Sequence, residues 1–376
     1  MGACYSQRKI QKELKKDFRK QTRVAKLLLL GAGQSGKSTI VKQIKLIQLD
    51  RDNRGFTEEE KYNAKIAVYF NMVDSLLTLI AAVSFLNIEG TQNESNSNSN
   101  SLSSHGNIIF SYGNYILEVL KTQQSKIIHS SMLRPTEEVI NTFREVWSNP
   151  CIKAAYFRRN EFQLMDSAEY YMSEMDRICE QDYEPNNQDV LRTRIQTKGV
   201  ASLKFHFQNG KQRIPFEIYD VGGQKGQRKN WIKCFDNVTC VLFVISIAEY
   251  DQVLEEEQTT NRMQDSIQLF GEIVNGKYFL HTPFIIFFNK FDIFLEKIPR
   301  RGIKNYFPDY EGPSDCPEKS LKFLKQKYLN QIEIGNNKRS IYTHTTTATD
   351  TDLIENVFKD VMNAVLKIVF GGINIE

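Results

Sequence analysis

The sequence predicts an α/β fold: a mostly parallel six-stranded sheet flanked by helices, with an all-helical domain inserted into it. Three observations predict this. Apolar runs of strand length recur at residues 23–30, 214–219, 238–245, 284–288 and 341–345. Stretches with the 3.6-residue period of helices lie between several of them, which implies parallel strands joined by right-handed crossovers. Residues 57–86 and 136–180 break this rhythm, being helix-patterned with little strand signal.

Taken in order, residues 1–22 are polar and basic and read as an amphipathic helix. The run RVAKLLLL (23–30) feeds directly into GAGQSGKS (31–38), and residues 37–48 then place Ile40, Ile44 and Ile47 at helical spacing, so strand, glycine loop and helix follow one another. Residues 214–219 alternate and end at Asp220. Residues 238–245 and 284–288 are continuous apolar runs, as expected for strands covered on both faces. Residues 341–345 read as a last strand and 352–370 as a closing amphipathic helix that stops at Gly371-Gly372. The chain thus divides into an N-terminal helix (1–22), a discontinuous α/β domain (23–54 and 190–376) and a helical insert (55–189). Within the insert, residues 87–107 read as a disordered loop, because the tract NESNSNSNS (93–101) cannot bury apolar surface.

Composition narrows the function. At 376 residues, 25% charged and 41% hydrophobic, the chain can bury a large core. Its net charge of +4 is too small to suggest a nucleic-acid partner. The six cysteines form no C-x-x-C pair and have no histidine cluster, which argues against zinc and a disulfide framework and for a reducing cytosolic setting. No secretory signal is present, and no apolar stretch approaches the roughly 18 residues of a membrane span. The first residues, MGACYS, fit the myristoylation pattern, with Gly2 as acceptor and Cys4 placed for a second acyl chain. Between Arg8 and Lys26, nine basic residues face two acidic ones, a net of +7. One acyl chain holds a protein weakly, so Cys4 or this basic helix would supply the second signal for attachment to an anionic membrane surface.

The glycine segment fits the phosphate-loop pattern G-x-x-x-x-G-K-[ST], with Gly31, Gly36, Lys37 and Ser38 at the required spacing. Backbone N–H groups and the positive end of the following helix surround phosphates, Lys37 offers a compact cation, and the Ser38 hydroxyl suits Mg²⁺. Asp220, at a strand end in DVGGQ (220–224), can reach the same metal through water. Gly222-Gly223 lets a backbone N–H face the γ-phosphate, and Gln224 carries donor and acceptor on one amide, suited to orienting an attacking water. In NKFD (289–292), Asp292 can accept from both guanine N1–H and the exocyclic amine. Adenine has no such donor pair, so a buried Asp292 would be left unpaired against ATP. Asn289 can brace the phosphate loop, and the Lys290 stem can lie over the base.

With these motifs assembled, the chain resembles the α subunits of heterotrimeric G proteins along almost its whole length. The resemblance rests on MGxxxS (1–6), GAGxSGKS (31–38), DSAEYY (166–171), DVLRTR (189–194), DVGGQ, NKxD and TxAT (346–349). It implies a Ras-like P-loop GTPase fold that binds GTP or GDP with Mg²⁺ and hydrolyses GTP. The phosphate-side contacts it implies are Gly31, Ala32, Gly33, Gln34, Ser35, Gly36, Lys37, Ser38 and Thr39. It also implies Asp166 and Ser167 from the helical insert, and Leu191, Arg192, Thr193 and Arg194 from the segment that follows it. Thr197 becomes the second hydroxyl ligand of Mg²⁺ beside Ser38 and Asp220, Gly223 faces the γ-phosphate, and Asn289, Lys290, Asp292 and the Ala348 N–H meet the base. Gln224 and Arg194 are the implied catalytic pair; the family is itself the standing example of an arginine finger supplied in cis.

The implied partners are a βγ dimer, a seven-transmembrane receptor that engages the closing helix and residues 371–376, a downstream effector and a GTPase-activating regulator. The implied location is the cytoplasmic face of the plasma membrane, lipid-anchored. Several residues depart from the family pattern. Gln34 replaces the glutamate that pairs with the arginine finger, Phe291 a lysine, and Thr347 a cysteine. Lys225-Gly226-Gln227 replaces Arg-Ser-Glu, and Ile373 stands where one branch carries a toxin-modified cysteine. Two alternatives stand beside the switch: a GTP-binding scaffold with little turnover, suggested by Gln34 and residues 225–227, and an ATP-using P-loop kinase, disfavoured by Asp292.

Overall fold

The structure, a computed structural model, describes residues 24–50, 56–88, 135–197, 199–209, 212–333 and 339–370. The acylation residues Gly2 and Cys4, the basic helix, the Asn/Ser tract and the terminal residues 371–376 lie outside the described residues. The chain forms two compact units, one of residues 1–55, 196–250 and 260–376, the other of residues 56–195 and 251–259.

The first unit is built on a six-stranded sheet ordered β2-β3-β1-β4-β5-β6. Its strands are β1 (Ala25–Leu30), β2 (Val200–Asn209), β3 (Gln212–Val221), β4 (Cys240–Ser246), β5 (Phe284–Asn289) and β6 (Ile341–Thr345). All neighbours run parallel except β2 and β3, which form an antiparallel pair. The sheet is covered on both faces, which is why β1, β4 and β5 read as unbroken apolar runs. Leu28, Leu30, Phe243 and Ile245 join one core, while Leu27, Leu29, Leu242 and Val244 join the other. The sixth strand, β2, was not located from sequence, although its Leu203, Phe205 and Phe207 alternate with Ser202, Lys204 and His206. Around the sheet lie α1 (Lys37–Asp50), α8 (Arg262–Val274), α9 (Phe291–Lys297), α10 (Pro317–Leu329) and α11 (Thr351–Phe370).

The second unit is helical: α2 (Glu58–Phe85), α3 (Glu137–Ser148), α4 (Pro150–Phe157), α5 (Ala168–Ser173), α6 (Met175–Ile178) and α7 (Asn187–Arg192). A capping box starts α2, with Thr57 Oγ1 accepting from the Glu60 N–H at 3.2 Å and Glu60 Oε2 accepting from the Thr57 N–H at 2.9 Å. The sequence expectation about membrane-spanning stretches is corrected here. By length and composition α2 is apolar enough to cross a membrane, but its polar residues Asn71, Asp74, Ser75 and Thr78 break it into shorter runs. In the fold it is the core helix of its unit, with Val68, Met72, Leu76 and Leu79 fully buried.

Asp189 is the electrostatic hub of this unit. Its carboxylate is fully buried and accepts from Arg177 Nη1 and Nη2 (2.9 and 2.8 Å), the Tyr170 hydroxyl (2.8 Å) and the Asn186 N–H (2.9 Å). Burial alone would raise the carboxyl's pKa. The Arg177 fork, the Asn186 amide and the Tyr170 hydroxyl outweigh it and hold the pKa below the ordinary value. The contribution to stability is therefore complete above the unfolded pKa of about 3.9 and disappears as pH falls through the lower folded value. Arg177→Ala should leave an uncompensated buried carboxylate at neutral pH and cost about 3 kcal/mol. The cost should shrink in acid as that carboxyl protonates. Amide hydrogen exchange of α3 to α7 in the intact chain measures both effects, and equal protection of variant and parent at pH 7 would contradict them.

Candidate functional site at the carboxyl ends of the sheet

The carboxyl ends of β1, β3, β5 and β6 carry the segments that the motifs occupy, the usual ligand edge of an open α/β sheet. After β1 the chain turns at Gly31 (φ +143°) and Gly36 (φ +101°), backbone that side chains rarely adopt. Contact forbids side chains as well. A Cβ on Gly31 would lie 2.2 Å from the Val244 carbonyl oxygen, and one on Gly36 would lie 2.2 Å from Asn289 Nδ2. Into this loop the Lys37 side chain folds back, its ammonium donating to the carbonyls of Gly31 (2.9 Å) and Ala32 (2.7 Å). Lys37 is 6% exposed, and burial brings its pKa down to about 8 despite the nearby Asp220 carboxylate. The backbone of Gly223 closes on the same spot, since a Cβ there would be 2.4 Å from Lys37 Nζ.

Beside the ammonium, three oxygen donors converge. The Ser38 hydroxyl donates to Asp220 Oδ2 at 2.7 Å and lies 2.8 Å from Thr197 Oγ1, which is itself 3.4 Å from Asp220 Oδ2. Asp220 Oδ1 is buried with no hydrogen-bond partner among the described residues. Burial pushes this carboxyl above its ordinary range, against the pull of Lys37, Ser38 and Thr197. One orphaned carboxylate oxygen and two hydroxyls are hard oxygen ligands of the kind that suit Mg²⁺. The residues fit the ion that the sequence implied.

The base-side segment follows β5. Asn289 is 1% exposed; its Nδ2 donates to the Ser35 carbonyl (2.9 Å), so the expected brace on the phosphate loop is present. Its Oδ1 accepts from the Thr346 hydroxyl (3.2 Å) and from the Ala348 N–H (2.9 Å), so in this structure that N–H is directed at Asn289. Asp292 is exposed rather than buried, and its Oδ1 accepts from the Thr347 hydroxyl at 3.4 Å. Desolvation of Asp292 is thus left to whatever covers it, not supplied by the fold. Lys290, in left-handed backbone (φ 61°), sends its ammonium to Glu249 Oε1 at 2.7 Å.

Glu249 opens a relay that the motifs did not reveal. Its second oxygen pairs with Arg262 Nε at 2.9 Å; Arg262 in turn donates to the Gly33 carbonyl (3.0 Å) and to Gln34 Oε1 (3.4 Å). Glu249 and Arg262 are buried, at 7% and 6% exposure, and Lys290 is partly buried at 12%. Asn261 caps α8 by accepting from the N–H groups of Met263 and Gln264, which sets Arg262 in the first turn facing the loop. Gln43, fully buried in α1, donates to the Ala348 carbonyl at 3.0 Å and ties the last loop to the first helix.

The segment after β3 is held equally closely. Arg228 donates through Nε to the Gly223 carbonyl (3.2 Å) and through Nη1 and Nη2 to Asp265 (3.2 and 2.5 Å), and the Trp231 indole donates to the Gly222 carbonyl (2.7 Å). Gln196 Nε2 donates to Gln224 Oε1. Lys225, one of the departures from the family pattern, lies 3.8 Å from Asp265.

Asp166, Ser167, Leu191, Arg192, Thr193 and Arg194 belong to the helical unit. Asp166 is exposed, while the Ser167 hydroxyl donates to the Arg192 carbonyl at 3.2 Å. The Arg192 guanidinium lies 4.5 Å over the Tyr170 ring, and Leu191 and Thr193 are buried. The Arg194 backbone is held by Asn71, and its guanidinium is 3.6 Å from Glu255. Sequence reasoning missed Asn71, Glu249 and Arg262. A polar residue inside the apolar stretch 68–73 was a usable signal for the first; nothing local marked the other two.

Known proteins are similar to this chain along most of its length. Residues 5–365 match the family described as G-protein alpha subunit. A guanine nucleotide-binding protein alpha-17 subunit of Caenorhabditis elegans is 38% identical over 379 residues, covering 98% of each chain. The guanine nucleotide-binding protein G(o) subunit alpha of Lymnaea stagnalis is 38% identical over 357 residues, covering 95% of this chain and 92% of the other. That of Locusta migratoria is 36% identical over 365 residues, covering 97% and 94%. With the family model matching residues 5–365 and relatives 36–38% identical covering more than nine-tenths of it, the chain belongs to the G-protein alpha subunit family.

Proposed function

We propose that this chain is a membrane-attached guanine-nucleotide switch that binds GTP or GDP with Mg²⁺ and relays signals from a seven-transmembrane receptor to a downstream effector. As a G-protein alpha subunit it is a GTP hydrolase. The observation that carries the finer reading is the convergence of Ser38, Thr197 and Asp220 oxygens beside the Lys37 ammonium, with Asn289 bracing the loop that holds it. In the proposed organisation the α/β unit is the nucleotide domain and the helical unit the insert, its second boundary at 195/196 rather than the 189/190 expected from sequence.

The phosphates sit on the N–H groups of residues 31–39 and on the first turn of α1, with Lys37 against the β and γ groups. Ser38, Thr197 and Asp220 would hold Mg²⁺, which neutralises phosphate charge when bound. Gln224 orients a water whose oxygen attacks the γ-phosphorus while the bond to the β-phosphate oxygen breaks, giving GDP and phosphate. Arg194 supplies a planar fork of donors to the charge on the transferred group. Asp292 reads the guanine edge, and the Lys290 stem covers the ring while its ammonium remains on Glu249. Loss of the γ-phosphate then releases the segments around Thr197 and Gly223, the change that a βγ dimer, an effector and a GTPase-activating regulator distinguish. Acylation at Gly2 and Cys4, with the basic helix of residues 1–22, would attach the chain to the cytoplasmic face of the plasma membrane.

Gln224→Leu should bind GTP normally while its single-turnover phosphate release falls by about two orders of magnitude; normal release would remove Gln224 from its role. Asp292→Ala should weaken GTP binding by roughly 100-fold, two charge-assisted hydrogen bonds at about 1.5 kcal/mol each. In the parent, excess ATP should fail to displace labelled GTP, and effective displacement would revive the kinase alternative. Glu249→Gln cuts the link between base loop and phosphate loop, so GDP should dissociate roughly tenfold faster, a loss of about 1.4 kcal/mol. Stopped-flow release of a fluorescent GDP measures it, and an unchanged rate would show the relay to be structural only.

A further inference from the structure

Asn71 lies midway along α2, 8% exposed, in a stretch whose Val68, Met72 and Val73 belong to the core. A carboxamide buried there is costly unless both its donor and its acceptor find partners. Both partners lie on one residue. Asn71 Oδ1 accepts from the Arg194 N–H at 2.8 Å, and Asn71 Nδ2 donates to the Arg194 carbonyl at 3.3 Å. Asparagine suits this task because a donor and an acceptor share one short planar group. Glutamine would carry the amide one methylene too far.

Arg194 follows α7 in a segment without regular structure, where backbone groups must find partners outside any ladder. Thr193 is tied to the helix end, its N–H donating to the carbonyls of Asp189 and Val190 and its hydroxyl to the Val190 carbonyl. The next residue is tied to α2 instead. That helix is capped at its start and fully buried at Val68, Met72 and Leu76, so it is a rigid anchor. The ion pair between the Arg194 guanidinium and Glu255, 3.6 Å long with both side chains more than a third exposed, is too open to hold the side chain.

We propose that Asn71 is the positioning residue of Arg194: it fixes the peptide from which the guanidinium projects, without touching the nucleotide. This rests on the reading of Arg194 as the catalytic arginine. A misplaced donor costs rate rather than binding, because the transferred group gains its extra charge only in the transition state. The same buried amide that would look like a fold-stabilising contact thereby becomes a determinant of the hydrolysis rate.

The test is a double-mutant cycle in the full-length protein, using single-turnover phosphate release and, separately, GTP binding. Arg194→Ala should slow release with GTP still bound. Asn71→Ala should slow it by roughly 10- to 100-fold with binding unchanged. Combining the two should give a protein no slower than Arg194→Ala alone, since Asn71 acts only through that residue. Asn71→Asp keeps an acceptor for the Arg194 N–H but turns a negative oxygen toward its carbonyl. It should be slowed like Asn71→Ala, and it is the variant to read if the alanine protein does not fold. Wild-type release in both Asn71 variants, or a further loss when Asn71→Ala is added to Arg194→Ala, would overturn the proposal. Wild-type release in Arg194→Ala would instead overturn the catalytic reading on which it rests.

Discussion

Lys37 carries a full charge to a place where it is 6% exposed, and its surroundings are arranged to make that tolerable. An ammonium out of water must be met by oxygens at hydrogen-bond distance, or it loses its proton. Here it is met by the carbonyls of Gly31 and Ala32, with the Asp220 carboxylate contributing from β3. Carbonyls can turn inward in this way only if the loop adopts backbone that Gly31 and Gly36 alone make cheap. Gly223 is required for a related reason: it approaches the ammonium more closely than any Cβ allows. Gly31 and Gly36 are required by their backbone and by the Val244 carbonyl and Asn289 amide that a Cβ would strike, and Gly223 by the ammonium itself.

A second set of charges ties that loop to the base side. Glu249 at the end of β4 is shared by Lys290, after β5, and by Arg262, which grips the Gly33 carbonyl. Such buried ion pairs contribute little net stability, because desolvation offsets the attraction, but removing one member leaves the others uncompensated. Their value lies in geometry. Asn289 does the same with neutral groups, holding the Ser35 carbonyl with one end of its amide and the Thr346–Ala348 turn with the other. Two independent connections thus join the phosphate and base segments.

The helical unit repeats the pattern with different chemistry. Asp189 collects Arg177, Tyr170 and the Asn186 N–H around one buried carboxylate, which fixes α7. Asn71 then fixes the residue just beyond α7. In both places a polar group sits where apolar packing would be cheaper, and in both the gain is a defined position for the segment that carries Arg194.

By itself the sequence determined what is local: the phosphate loop at 31–38, the DVGGQ and N-K-x-D segments, and the strands that carry them, because each needs particular residues at fixed short spacing. Five of the six strands were legible from apolar runs, whereas β2, half-exposed and alternating, was passed over. Only the tertiary structure decided which distant groups meet. Lys290 was marked by its motif, but Glu249 and Arg262 carry no spacing rule, so their pairing with it depends on strand order. Asn71 finds Arg194 across 123 positions because α2 and α7 pack together in the helical unit. Asp292 proved exposed because burial depends on what covers a residue, which no motif records. The membrane-length character of α2 was hidden by scattered polar residues, and its place in a core was settled by the helices packed around it.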